Sequence, residues 1–77
     1  MHKKQKIEIL KRSLDNVNLS IDAAIESAKL LQTEQFSIRG YRYMNDSITD
    51  LTHLKHKVLS TTESIQNLLD RIVKNND

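Results

Sequence analysis

Apolar residues in the first half of the chain return every three or four positions, at Ile7, Leu10, Leu14, Val17, Ile21, Ala24, Ala28 and Leu31. Spacings that alternate between three and four keep one stripe of a helix turned toward a partner helix, so this run predicts an amphipathic helix over about residues 4–35. Ile9, Leu19, Ile25 and Leu30 fall outside the stripe and widen it. A stripe of that width suits a bundle of more than two helices. Ala24 and Ala28, one turn apart, are the place where a partner backbone is expected to come closest.

The second half repeats the pattern less regularly. Met44, Ile48, Leu51, Leu54, Val58, Ile65, Leu68 and Ile72 mark one face, with Leu59, Leu69 and Val73 beside it, and they predict a second helix over about residues 44–74. Between Val58 and Ile65 the facing position falls on Thr61. That layer is expected to be wet, or its hydroxyl to bond back to the preceding turn, with the loosest packing of the bundle there. Ser47-Ile48-Thr49-Asp50 reads as a capping box at the start of the second helix. That leaves about residues 36–43 as the connection; the alternative is a start nearer Tyr41, with Gly40 ending the first helix in a left-handed conformation.

The fold class that follows is all-α: a single domain of two long amphipathic helices in an antiparallel hairpin, associating into a four-helix bundle or higher homo-oligomer. Composition strengthens this reading, because the 77 residues include one Gly, no Pro and no Cys. Few helix breakers favour long helices, and without Cys neither a disulfide nor a thiolate metal site can stabilise so small a core. Oligomerisation is the remaining means. No apolar run approaches the roughly 18 residues of a membrane span, and residues 2–8 lead into an amphipathic pattern, so a cytoplasmic protein without membrane association is expected.

Net charge is only +2, but its distribution is uneven. Lys3, Lys4, Lys6, Lys11 and Arg12 open the chain, followed by an acidic block of Asp15, Asp22, Glu26 and Glu34. A basic block of Arg39, Arg42, Lys55 and Lys57 precedes an acidic end with Glu63, Asp70 and Asp77. In an antiparallel hairpin the basic start lies beside the acidic end, although exposed pairs contribute only about 0 to 1 kcal/mol each.

All three aromatic residues fall between positions 36 and 43, interleaved with two arginines. One expectation is structural, with Phe36, Ile38, Tyr41 and Met44 plugging the end of the bundle. The other is a recognition surface at Arg39, Tyr41, Arg42 and Tyr43, since Tyr and Arg are favoured interface anchors and a guanidinium beside an aromatic ring suits a phosphate or nucleobase. His53 and Lys57 extend the candidate binding set on the second helix. His53 and His56, with Asp50 one turn earlier, stand among Lys55 and Lys57, and a solvated basic face is expected there in preference to a metal site. No cofactor and no catalytic residue is expected: the chain has no Gly-rich phosphate loop, no Cys nucleophile and no paired carboxylates in a small-residue turn.

Helical-hairpin secretion substrates carry a Trp-x-Gly turn, whereas this chain has no Trp and reads Ile38-Arg39-Gly40, so that resemblance fails. Plasmid copy-control RNA-binding hairpins share the expected architecture without a shared residue motif. The function expected is that of a small regulatory or adaptor protein, of bacterial or phage character by its size and its Lys, Asn and Ile content. It would bind itself and a protein partner through helical oligomerisation. The alternative is an oligomer sequestering a small anionic ligand such as a nucleotide between subunits. A third is an RNA- or DNA-binding hairpin dimer using the basic start of the chain, although the acidic block that follows argues against specific nucleic-acid binding.

Overall fold

The computed structural model describes residues 2–34 and 37–75, and the backbone of residue 76. They form two helices, α1 (Lys3–Gln32) and α2 (Ile38–Asn76), packed antiparallel along their length. Among the described residues there is no strand, and the hairpin measures 59 × 16 × 14 Å. The long axis is that of α2, whose 39 residues rise about 58 Å.

Each helix end has a local cause. His2 is extended, and its N–H donates to Gln5 Oε1 at 3.3 Å, one half of a capping box. The other end of α1 closes when the Thr33 and Glu34 N–H groups bond to Leu30 and Leu31, three residues back, and the Thr33 hydroxyl also donates to the Leu30 carbonyl at 2.6 Å. This tightened turn stops α1 at Gln32, three residues short of the expected end.

The connection is correspondingly shorter than the sequence suggests, spanning residues 33–37. Ser37 accepts the Gly40 N–H on its Oγ at 3.1 Å and the Tyr41 N–H on its carbonyl at 2.9 Å, so Ser37 begins α2. A serine cap contributes about 1 kcal/mol, enough to offset a glycine inside the first turn. Gly40 is therefore helical, with no positive φ, and is not the end of α1. Ser47 is mid-helix, its Oγ donating to the Tyr43 carbonyl at 2.8 Å, so the capping box expected at Ser47 and Asp50 does not form. The same back-bonding holds Thr52, Thr61 and Thr62 to the carbonyls of Ile48, Lys57 and Val58, which reconciles a hydroxyl-rich sequence with an unbroken helix.

Two cross-links fix the register. Asp22 pairs with Lys55, and Gln32 Nε2 donates to Asn45 Oδ1 at 3.4 Å. Facing residues thus have numbers that sum to 77.

The seam lies beside the expected stripe. The buried and half-buried positions of α1 include Ile7, Lys11, Leu14, Asn18, Ile21, Ile25, Ala28 and Gln32; those of α2 include Ile48, Leu51, Lys55, Val58, Thr62, Ile65, Leu69 and Ile72. Of the expected stripe, Ile7, Leu14, Ile21, Ala28, Ile48, Leu51, Val58, Ile65 and Ile72 line the seam within the hairpin, while Leu10, Val17, Ala24, Leu31, Leu54 and Leu68 are exposed on the single chain. Ile25 and Leu69, expected beside the stripe, are instead among the few buried apolar residues. The polar seam position is Thr62, with Thr61 exposed.

Geometrically the difference is small. At 3.6 residues per turn, a seam through positions 7 and 11 and one through 7 and 10 differ by a rotation of about 50° about the helix axis. Cross-links and long side chains select the observed side: Lys55 reaches Asp22, Gln32 reaches Asn45, and Lys and Gln lay apolar stems along the seam.

Candidate recognition surface

Because Gln32 is level with Asn45, residues 38–44 of α2 run past the last turn of α1, an overhang of about 10 Å. The aromatic and arginine segment is carried there as helix. Ile38 is 80% exposed, Tyr41 53% and Tyr43 65%, and Arg39 and Arg42 are exposed as well. Arg39, Arg42 and Tyr43 stand at i, i+3 and i+4 and so share one face. Ile38, Tyr41 and Arg42 share the adjacent face by the same spacing.

This exposure runs against the plug expectation for Ile38 and Tyr41, whereas Met44 is half-buried. Phe36, the fourth residue of that expectation, lies outside the described residues, as does Asp77 of the acidic end. Electrostatically the overhang combines two guanidinium groups with the positive end of the α2 dipole, while Asp46 begins the opposite charge one turn later.

His53 and Lys57 lie one turn apart on an exposed stretch of α2. Ten residues separate Tyr43 from His53, about 15 Å of helix. The fold does not bring the two groups into one site within a chain.

His56 belongs to a different feature. A groove of about 410 Å³ between the helices is lined by Asp22, Ile25, Glu26, Lys29, Thr52, Lys55 and His56, and the Asp22–Lys55 ion pair crosses it. Glu26 and Lys29 also approach within 4.0 Å along α1. Both anions there already face cations, and among the described residues no group of three or more His, Cys, Asp or Glu is placed to hold a metal ion.

The basic start of the chain divides in two. Lys3, Lys4 and Lys6 are exposed, but Lys11 and Arg12 line a second groove together with Glu8, Asp15, Gln66 and Leu69. A phosphate backbone laid across α1 would meet carboxylates among the cations. Among the described residues no helix is long and apolar enough to cross a membrane.

Three features with structural consequences escape a reading of the sequence: the Ser37 cap, the Asp22–Lys55 cross-link, and Asn18 buried in the seam with its Oδ1 lacking a hydrogen-bond partner. Serine before Ile38 was a visible cap signal. The other two depend on register and on helix rotation, which periodicity alone leaves open.

No family model matches the chain, and neither a curated protein nor a solved structure matches it.

Proposed function

We propose that this chain is a non-catalytic adaptor or regulatory protein that self-associates through its helices and holds a protein partner with the overhanging first turns of α2. The observation that carries the reading is the exposure of Ile38, Tyr41 and Tyr43 beside Arg39 and Arg42 on a helix end that α1 does not cover. Tyr and Arg concentrate binding energy because they combine a large contact area with directed hydrogen bonds, and a helix presents them in fixed spacing. The charge of the overhang suits a partner surface with carboxylates beside apolar groups. Separation of His53 and Lys57 from the tip weighs against one anion-sequestering site built from both sets within a chain.

The test is capture of partner from a lysate of the source cells by the wild-type chain and by a variant carrying Arg39→Ala, Arg42→Ala and Tyr43→Ala. Truncating one interface anchor costs about 2 kcal/mol or more, some thirtyfold in affinity, so the triple variant should capture nothing while keeping its helicity and solution mass. Loss of helicity or mass would make these residues structural. Undiminished capture would place the binding surface elsewhere.

A further inference from the structure

We infer that a second copy of this chain packs end for end on one particular side of the hairpin, giving a four-helix rod with a recognition tip at each end. The inference deepens the self-association in the reading above and does not depend on what the tip binds. Lys11, Asn18, Gln32, Lys55 and Thr62 make the seam inside the hairpin unusually polar, while a more apolar line runs beside it. Leu10, Val17, Ala24 and Leu31 each precede an α1 seam residue, and Leu54 and Leu68 precede Lys55 and Leu69.

In an antiparallel helix pair, equivalent flanking positions of both helices fall on the same side of the pair. The grooves show this directly for the positions that follow seam residues: Asp22, Lys29 and Thr52 line one groove, and Glu8, Asp15 and Gln66 the other. That side is polar. The preceding positions therefore gather on the opposite side, where Leu10, Val17, Leu31, Leu54 and Leu68 are each 43–48% exposed. Leu10, Val17, Ala24 and Leu31 make the α1 line continuous, and Leu54 and Leu68 adjoin it in alternation with Ser47 and Thr61, so these apolar residues form one patch and not a scatter.

Area and charge identify the occupant. The chain exposes 6208 Å², whereas a compact protein of 8.9 kDa exposes about 4800 Å². Covering that excess on two chains would bury about 2800 Å², the size of an obligate homodimer interface. Turning the second hairpin end for end sets Leu10 against Ser27 of the other copy, Val17 against Ser20 and Leu54 against Ser64, while Leu31 lies over Lys6 and Leu68 beside Asp50. In the same register Lys3 meets Glu34, and Lys55 meets Glu63. The arrangement with both connections at one end would instead crowd Arg39 and Arg42 of both copies together. End-for-end packing holds the two tips at opposite ends, so the rod can bridge two partners and gain avidity from their linkage.

The test has two arms on the full chain. Light scattering should give twice the chain mass, and Val17→Asp with Leu54→Asp should give the chain mass with helicity retained, while Leu19→Asp, outside the face, should remain dimeric. In the second arm a single Cys replaces Asp46, clean because the chain has no other Cys, and carries a spin label. Thirteen residues from the two-fold axis, the two labels should stand about 39 Å apart along the rod. A monomeric wild type would overturn the inference, as would a dimer that survives both Asp substitutions. A dimer with labels closer than about 25 Å, one bundle width at 10–12 Å per helix, would overturn the end-for-end arrangement while leaving self-association and the tip reading intact.

Discussion

Asn18 lies near the middle of α1, in the layer that faces Val58 and Thr62, and is 9% exposed with an unpartnered Oδ1. The Thr62 hydroxyl has already given its proton to the Val58 carbonyl and cannot supply one. A buried polar group left unpaired costs about 1 to 3 kcal/mol. Leucine has the same branching as asparagine, with two methyl groups in place of the oxygen and the amine, and their burial adds about 0.8 kcal/mol each. Asn18→Leu should therefore stabilise the fold by about 2.5 to 4.5 kcal/mol, less any crowding from the bulkier methyls. For a domain of this size each kcal/mol moves Tm by roughly 4–8 °C. Thermal and guanidinium unfolding followed by circular dichroism, at one fixed protein concentration because the proposed self-association would raise Tm, would measure the change. Asn18→Ala serves as control: it removes the same penalty but leaves a gap, and should be close to neutral. If Asn18→Leu destabilises the chain by 1 kcal/mol or more, the carboxamide is hydrogen-bonded in solution and the reasoning fails.

Gly40→Ala should stabilise α2 by about 0.4 to 1 kcal/mol, since the residue is helical with negative φ and alanine loses less backbone entropy on folding; a lower Tm would point to the left-handed turn read from the sequence. Ser37→Ala should cost about 1 kcal/mol and speed amide exchange in the first turns of α2, including Gly40; unchanged protection would show that the Ser37 cap contributes nothing. A double-mutant cycle on Asp22 and Lys55, whose side chains are 47% and 34% exposed, should give a coupling of at most about 1 kcal/mol that shrinks with added salt. Coupling that is absent even at low salt would remove the pair from the forces that set the register.

In the proposed dimer, the partly polar seam inside each hairpin and the apolar patch outside it would divide two tasks. Polar positions cost stability but restrict which registers are tolerated, as a single buried asparagine does in coiled coils. The Asp22–Lys55 and Gln32–Asn45 cross-links act in the same sense. In the proposed adaptor reading, register matters because it sets how far α2 extends past α1. A slip of one heptad toward the tip would bring α1 level with Tyr43 and cover the arginines.

Two long helices, their antiparallel return and the concentration of Arg and Tyr near the turn were all legible in the sequence. They depend on short-range periodicity and on the near-absence of Gly and Pro, which act within a few residues. The helix boundaries around the turn were not, because Gly40 carries a strong breaker signal and the Ser37 cap outweighed it. Nor was the side of the stripe used by the hairpin. Leu10 and Lys11 border the same line through Ile7 and Leu14, and a rotation of about 50° separates the two solutions. Local periodicity is nearly indifferent to that rotation. Only the packed pair decided it, through contacts between residues far apart in the chain: Lys55 reaching Asp22, Asn45 reaching Gln32, and Ile25 and Leu69 buried within the seam.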